Sequence, residues 1–209
     1  MLQVEMISGG MMPTNCYLLT DSATGISAVV DPGFWDQRLE VALEGKKVSC
    51  ILLTHCHFDH ILGTAQVQKK TGAPVYLHQA EEKFPTSPEL NLSGMMGLSV
   101  QPFETGRLLQ DGDTVMVGES VLEVLHTPGH TAGSCCFRCG ETLLTGDTLM
   151  AGSMGRTDFP TGSWSQISES LQRLSRLEGD AKVYCGHGPS TSLNRERATN
   201  PYMMGDMGI

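Results

Sequence analysis

A chain of 209 residues is long enough for one substantial hydrophobic core and short for two independent ones, so residues 1–209 are read as a single domain. Its formal net charge is −9, from 14 Lys and Arg against 23 Asp and Glu, and no stretch clusters basic residues, which argues against a nucleic-acid partner. No window approaches ~18 uninterrupted apolar residues, and MLQVEMISGG has neither the basic nor the apolar part of a leader, so the expectation is a soluble, cytoplasmic protein without a membrane partner.

In chain order, Leu2 to Ser8, Asn15 to Thr20 and Ile26 to Val30 read as an opening β-meander that ends in the turn Asp31-Pro-Gly33. Trp35, Leu39, Ala42 and Leu43 share one helix face, with Gly45 as a stop. Strand Val48 to Leu53 runs into THCHFDH, and from Asp59 to Lys70 the pattern is helical up to Gly72. A short strand, Pro74 to Leu77, precedes residues 84–101, which have no clear period and read as a long loop or crossover. Val115 to Val117, Val121 to Leu125, Cys135 to Arg138 and Thr142 to Leu144 form a second meander. Ser163 suits a helix N-cap with Gln166 three residues on, and Ile167, Leu171, Leu174 and Leu177 give the apolar face of that helix before a last strand, Lys182 to Cys185. Two sheets, each needing cover, suggest a face-to-face pair with helices outside.

Seven cysteines are an odd number, spaced unlike a secreted disulfide scaffold, and fit a reducing compartment. Cys136-Phe-Arg-Cys139 has zinc-ribbon spacing but lacks the second pair a ribbon needs, so these residues are assigned to the core and to a turn.

The chemistry is concentrated at strand ends. THCHFDH puts His55, His57, Asp59 and His60 on one loop after a strand, Thr127-Pro-Gly-His130 and Thr145-Gly-Asp147 follow two more, and Gly186-His187 follows the last. Ligands commonly bind beyond the carboxyl ends of strands in layered folds. His55 and His57, two apart, can aim at one ion while Asp59 and His60 turn toward a neighbouring one. A single buried histidine is more often satisfied by a backbone carbonyl, and His78 and His126, in or beside strands, are read that way, with His126 as an indirect support of the site. Five histidines and two carboxylates recurring in one setting are not explained so.

THCHFDH, TPGHTAGS, GDT, GRTDFP and CGHGPST, in this order and spacing, resemble the metallo-β-lactamase superfamily, and within it the short glyoxalase II-like thioester hydrolases. The resemblance runs from about Thr14 to Pro201 and implies a four-layer αββα sandwich. It makes His55, His57 and His130 ligands of one metal and Asp59, His60 and His187 ligands of a second, with Asp147 bridging. Asp59 and Asp147 are thereby also the catalytic carboxylates. Two divalent ions are implied, zinc first, with iron or manganese accommodated by the same mixed N/O donors. A water between them would ionise near neutrality and attack the substrate carbonyl. No serine or cysteine nucleophile is needed, so Cys56 is read as a packing residue. Arg156 and Asp158 in GRTDFP are expected to form an ion pair that orders their loop, with binding of a substrate carboxylate by Arg156 as the alternative.

The function implied is hydrolysis of a small-molecule thioester of the hydroxyacylglutathione type. The persulfide dioxygenases of the same superfamily use one iron on a triad equivalent to His55, His130 and Asp147, and are the alternative. A non-catalytic metal-binding module on the same fold is a third reading. Only Arg195 and Arg197 are basic beyond His187, and the helical domain that reads glutathione in glyoxalase II is missing from the pattern, so the acyl group and the thiol are left open.

Overall fold

The apolar segments pair into two sheets in the computed structural model of the chain, which describes residues 1–204. The first sheet contains β1 (Leu2–Gly9), β2 (Thr14–Asp21), β3 (Ile26–Val30), β4 (Lys47–Leu52), β5 (Val75–His78) and β6 (Thr105–Leu109), in that spatial order. β1 to β3 form an antiparallel meander, whereas β3 to β6 run parallel. Parallel neighbours need crossovers, supplied by α1 (Gln37–Ala42) between β3 and β4 and by α2 (Phe58–Ile61) and α3 (Thr64–Thr71) between β4 and β5. The second sheet is built from β7 (Thr114–Val117), β8 (Ser120–His126), β9 (Cys135–Cys139), β10 (Thr142–Gly146), β11 (Lys182–Cys185) and β12 (Thr191–Ser192). β7 to β10 are a meander, and α4 (Trp164–Ser175) returns the chain so that β11 lies parallel to β10. Two short helices, α5 (Leu193–Thr199) and α6 (Pro201–Met204), follow.

Strand periodicity divides the interior into three stacked cores. Along β2, β3 and β4, Leu19, Ala28, Val30, Cys50 and Leu52 face Val117, Val124 and Phe137 of the second sheet. Their neighbours Leu18, Val29 and Ile51 turn the other way, onto Leu39, Ile61 and Val67 of the first helix layer. On the far side, Cys136, Leu143 and Val183 pack against Ile167, Leu171 and Leu174 of α4. Because the central strands are buried on both faces, they read as apolar runs rather than as alternation. The layers are helix, sheet, sheet, helix, as the sequence implies.

One expectation about local structure is corrected, and the crossover and the sheet edges are filled in. The helix expected from Asp59 to Lys70 is two helices, broken at Gly63, whose N–H donates to Pro32 O at 2.8 Å. A Cβ there would run into the carbonyls of Pro32 and Phe34, so the tight approach of that loop, invisible in the helical pattern, decides the break. Residues 84–101 are a crossover, but an ordered one, with 3-10 turns at Phe84–Thr86 and Ser93–Met96. Asn91 pins it: its side chain donates to Phe84 O at 2.8 Å, and its carbonyl accepts from Phe58 N at 2.7 Å. The edge strands β6, mostly exposed, and β12, two residues long, carry no apolar pattern in the sequence. No helix of the described residues is long and apolar enough to cross a membrane.

The carboxyl ends of β4, β8, β10 and β11 meet at one rim of the sandwich. Cys135 N donates to Thr54 O at 2.9 Å, tying the second sheet to the end of the first, and Asn15 N donates to Gly186 O at 2.8 Å from the other side.

Candidate metal centre

Beyond β4 the backbone turns through Thr54 to His57, and His57 caps α2 in an extended conformation. Asp31 holds this turn: its carboxylate accepts from Thr54 N at 2.7 Å, Thr54 Oγ1 at 2.6 Å and His60 Nδ1 at 3.0 Å. The Asp31 backbone sits in the left-handed region at φ 49°, which aspartate tolerates better than most residues. His130 Nδ1 meets Arg156 O at 2.7 Å and His187 Nδ1 meets Pro13 O at 2.8 Å. A carbonyl can only accept, so each of these rings donates from Nδ1 and presents the Nε2 lone pair inward.

The inward atoms converge. His55, His57 and His130 form one group of donors, His55, His60 and Asp147 a second, and Asp59, His60 and His187 a third, with the donor atoms of each group within 4.8 Å of one another. Asp147 lies between the sets, Oδ1 3.5 Å from His60 Nε2 and Oδ2 3.6 Å from both His130 Nε2 and His187 Nε2. His187 Nε2 is 3.1 Å from Asp59 Oδ2. His55 Nε2, His60 Nε2 and Asp147 Oδ1 are buried without a hydrogen-bond partner. His57 Nδ1 and His130 Nε2 approach to 2.9 Å. Buried donors and acceptors normally find partners, and lone pairs aimed at a common point call for a cation. All seven residues of the expected ligand set are therefore brought together, and the donor chemistry fits divalent metals.

Electrostatics favour the same occupant. Burial, reinforced by neighbouring imidazoles, holds His55 and His57 well below the usual histidine range, which keeps them neutral and able to ligate. At His60 burial acts downward too, but Asp147, Asp59 and Asp31 outweigh it and push that ring up to about 10. Burial raises Asp59, yet His60 and His187 more than offset it and keep its carboxyl well below the carboxylate range. A field that would charge a fully buried imidazole is a field that holds a metal cation. Gly186 makes room for the cluster, since a Cβ there would strike Asp147 Oδ1 and the His60 ring.

Arg156 and Asp158 form the expected fork, with Nε to Oδ1 at 2.9 Å and a second guanidinium nitrogen to Oδ2 at 2.6 Å, and the guanidinium also lies 4.3 Å from the Phe159 ring centroid. Cys56 is fully buried and its thiol is pushed up by burial and by Glu81, which suits packing and not attack. The other cysteines are free thiols too, all buried except the half-buried Cys139. His78 and His126 stack on each other at 4.0 Å, and His126 Nε2 donates to Ala132 O at 2.9 Å, steadying the His130 loop.

Three supporting residues escaped the sequence reading. The DPG pattern marks Asp31 as a turn residue and does not reveal its three bonds. Glu81 is buried, and its carboxyl accepts from Cys56 N and Gly133 N, both at 2.9 Å, so it staples the His55–His57 loop to the His130 loop. Burial pushes Glu81 up to about 7, against hydrogen bonds from Thr131, Cys56 and Gly133 that pull it down. Asn15 donates to Cys185 O at 3.0 Å and Gly188 O at 2.8 Å, fixing the His187 turn.

A rim of seven converging imidazole and carboxylate donors, on an αββα sandwich, defines the class as a metal-site protein. The chain belongs to the metallo-beta-lactamase superfamily, whose family model matches residues 9–187. It is 30% identical over 209 residues to the hydroxyacylglutathione hydrolase GloC of Haemophilus influenzae, covering 97% of this chain and 98% of that protein. Among solved structures, the B3 metallo-beta-lactamase BLEG-1 superposes with a TM-score of 0.90 at 32% identity, over 97% of this chain and 100% of that one. TTHA1623, solved in a di-iron-bound form, superposes with a TM-score of 0.83 at 33% identity, over 95% and 100%.

Proposed function

We propose that this protein is a binuclear metal-dependent hydrolase of thioesters. The observation that carries the reading is the Asp59, His60 and His187 donor group, which stands beside the His55, His57 and His130 group and shares the neighbouring Asp147. A one-iron oxygenase would draw on only His55, His130 and Asp147 of these seven donors. The name of the GloC relative supports the same substrate chemistry.

In this reading His55, His57 and His130 would hold one divalent ion, Asp59, His60 and His187 would hold the other, and Asp147 would serve both. Zinc is the first choice, and the di-iron form of a similar protein supports iron as the alternative. Bound there, the ions supply an activated water and Lewis acidity toward a carbonyl oxygen. The chain's own part is positional. Asp59, kept ionised, and Asp147 border the cavity and accept hydrogen bonds from the attacking water. The water oxygen would bond to the carbonyl carbon as the carbon–sulfur bond breaks with its electron pair on sulfur; one water proton passes to the sulfur and the other is released to solvent, so the products are a carboxylate, a thiol and a proton. Asp31, Arg156 O and Pro13 O fix the imidazoles, so that little reorganisation is required during the reaction.

The test is a turnover screen of thioesters, lactones and persulfides, with metal content measured on the same sample. Thioester hydrolysis with about two metals per chain is expected. One iron per chain with oxygen uptake on a persulfide would overturn the reading in favour of a dioxygenase.

A further inference from the structure

The cavity above the donor cluster has a volume of about 530 Å³, and its walls are unusually rich in methionine. Five of the chain's 12 methionines line it, from three separate segments: Met12 at the turn between β1 and β2, Met95 and Met96 on the crossover, and Met150 and Met154 on the loop after β10. Met12, Met95 and Met96 are 46%, 72% and 47% exposed, an exposure that costs hydrophobic burial unless something covers it. Thioether side chains are flexible and polarizable, and they mould to irregular apolar ligands.

The same lining is poor in cations. Among the described residues Arg156 is its only Lys or Arg, and the fork to Asp158 with the stacking on Phe159 already engages its guanidinium. A glutathione tail brings two carboxylates, and this wall has no free cation to receive them. Uncharged methylene chains, by contrast, gain at each contact with the methionines.

We propose that the preferred substrates are thioesters with an uncharged, flexible apolar acyl chain, seated against Met95, Met96, Met150 and Met154. This rests on the thioester reading above and narrows it to a substrate class. The carbonyl sits over Asp59 and Asp147 at the floor, and the acyl chain lies along the methionine wall.

The test uses the metal-loaded full chain and S-acyl-N-acetylcysteamines with acetyl, butyryl and hexanoyl groups, together with S-lactoylglutathione. The expected result is a rise in kcat/KM of at least tenfold from acetyl to hexanoyl, with the glutathione thioester below the hexanoyl compound. Met96→Lys, an exposed substitution that leaves the core intact, is expected to flatten the chain-length series and to improve the glutathione thioester severalfold. A flat series in the unaltered protein, or a preference for the glutathione thioester, overturns the proposal. If no thioester turns over, the parent reading fails. Binding of the corresponding non-hydrolysable thioethers, measured by calorimetry, then decides the pocket: affinity that rises with chain length supports the apolar wall, and affinity that does not rise refutes it.

Discussion

Asp31 Oδ2 accepts a hydrogen bond from His60 Nδ1 at 3.0 Å, and both side chains are buried. The pair fixes the His60 tautomer with Nε2 turned toward Asp147 and Asp59. Asp31→Asn keeps the size and tolerates the same left-handed backbone, but an amide cannot accept from Thr54 N, Thr54 Oγ1 and His60 at once. Metal affinity should fall by about 10–100-fold, read by competition with a chromogenic chelator. Unchanged affinity would show that the ring is oriented by its other contacts.

Asp147 is the only carboxylate with close contacts to His60, His130 and His187 together among the described residues. In the proposed binuclear centre two neighbouring cations would repel one another and would need a shared anion. Asp147→Ala is expected to lower metal content and to remove nearly all hydrolysis. A variant that retains two metals and normal turnover would remove Asp147 from the centre.

For Arg156 the fork has a consequence beyond its own pair. The Arg156 carbonyl accepts from His130 Nδ1, so a loosened loop loosens a proposed ligand. Both partners are well exposed, and exposed ion pairs add little to global stability. Arg156→Lys breaks the bidentate geometry while keeping the charge. The expected outcome is a severalfold faster loss of metal to a chelator with almost unchanged melting. Normal metal retention with a selective rise in KM for anionic substrates would mean instead that the guanidinium reads the substrate.

Glu81 gives a pH signature. Its folded value of about 7 lies above its ordinary 4.5, so the unfolded chain releases this proton first as pH rises. The stability contributed by the protonated group is complete below pH 4.5 and lost as pH rises toward 7, by roughly 3 kcal/mol at most. The unaltered protein should therefore lose stability relative to Glu81→Gln over that window and run parallel to it above. The measurement is urea unfolding of both proteins from pH 4.5 to 8. A relative gain with rising pH would show that the carboxylate, held by Cys56 N and Gly133 N, is the favoured form.

By itself the sequence determined the donors and their setting. His55, His57, Asp59, His60, His130, Asp147 and His187 all follow strands, and side-chain type and strand-end position are local properties that survive in a linear reading. The central strands and α4 were legible for the same reason, since period-2 and helical burial are written into neighbouring residues. Only the tertiary structure decided the rest. β6, exposed along most of its length, and β12, two residues long, carry too little buried pattern to announce themselves. Asp31 reaches Thr54, 23 residues away, Glu81 reaches Gly133, 52 away, and Asn15 reaches Cys185, 170 away. Such bonds form because packing the two sheets at one rim brings distant backbone groups together, and no local spacing encodes which of them a buried carboxylate or amide will meet. The methionine wall has the same origin: its three segments are unremarkable along the chain and become one surface only when the rim closes around the donors.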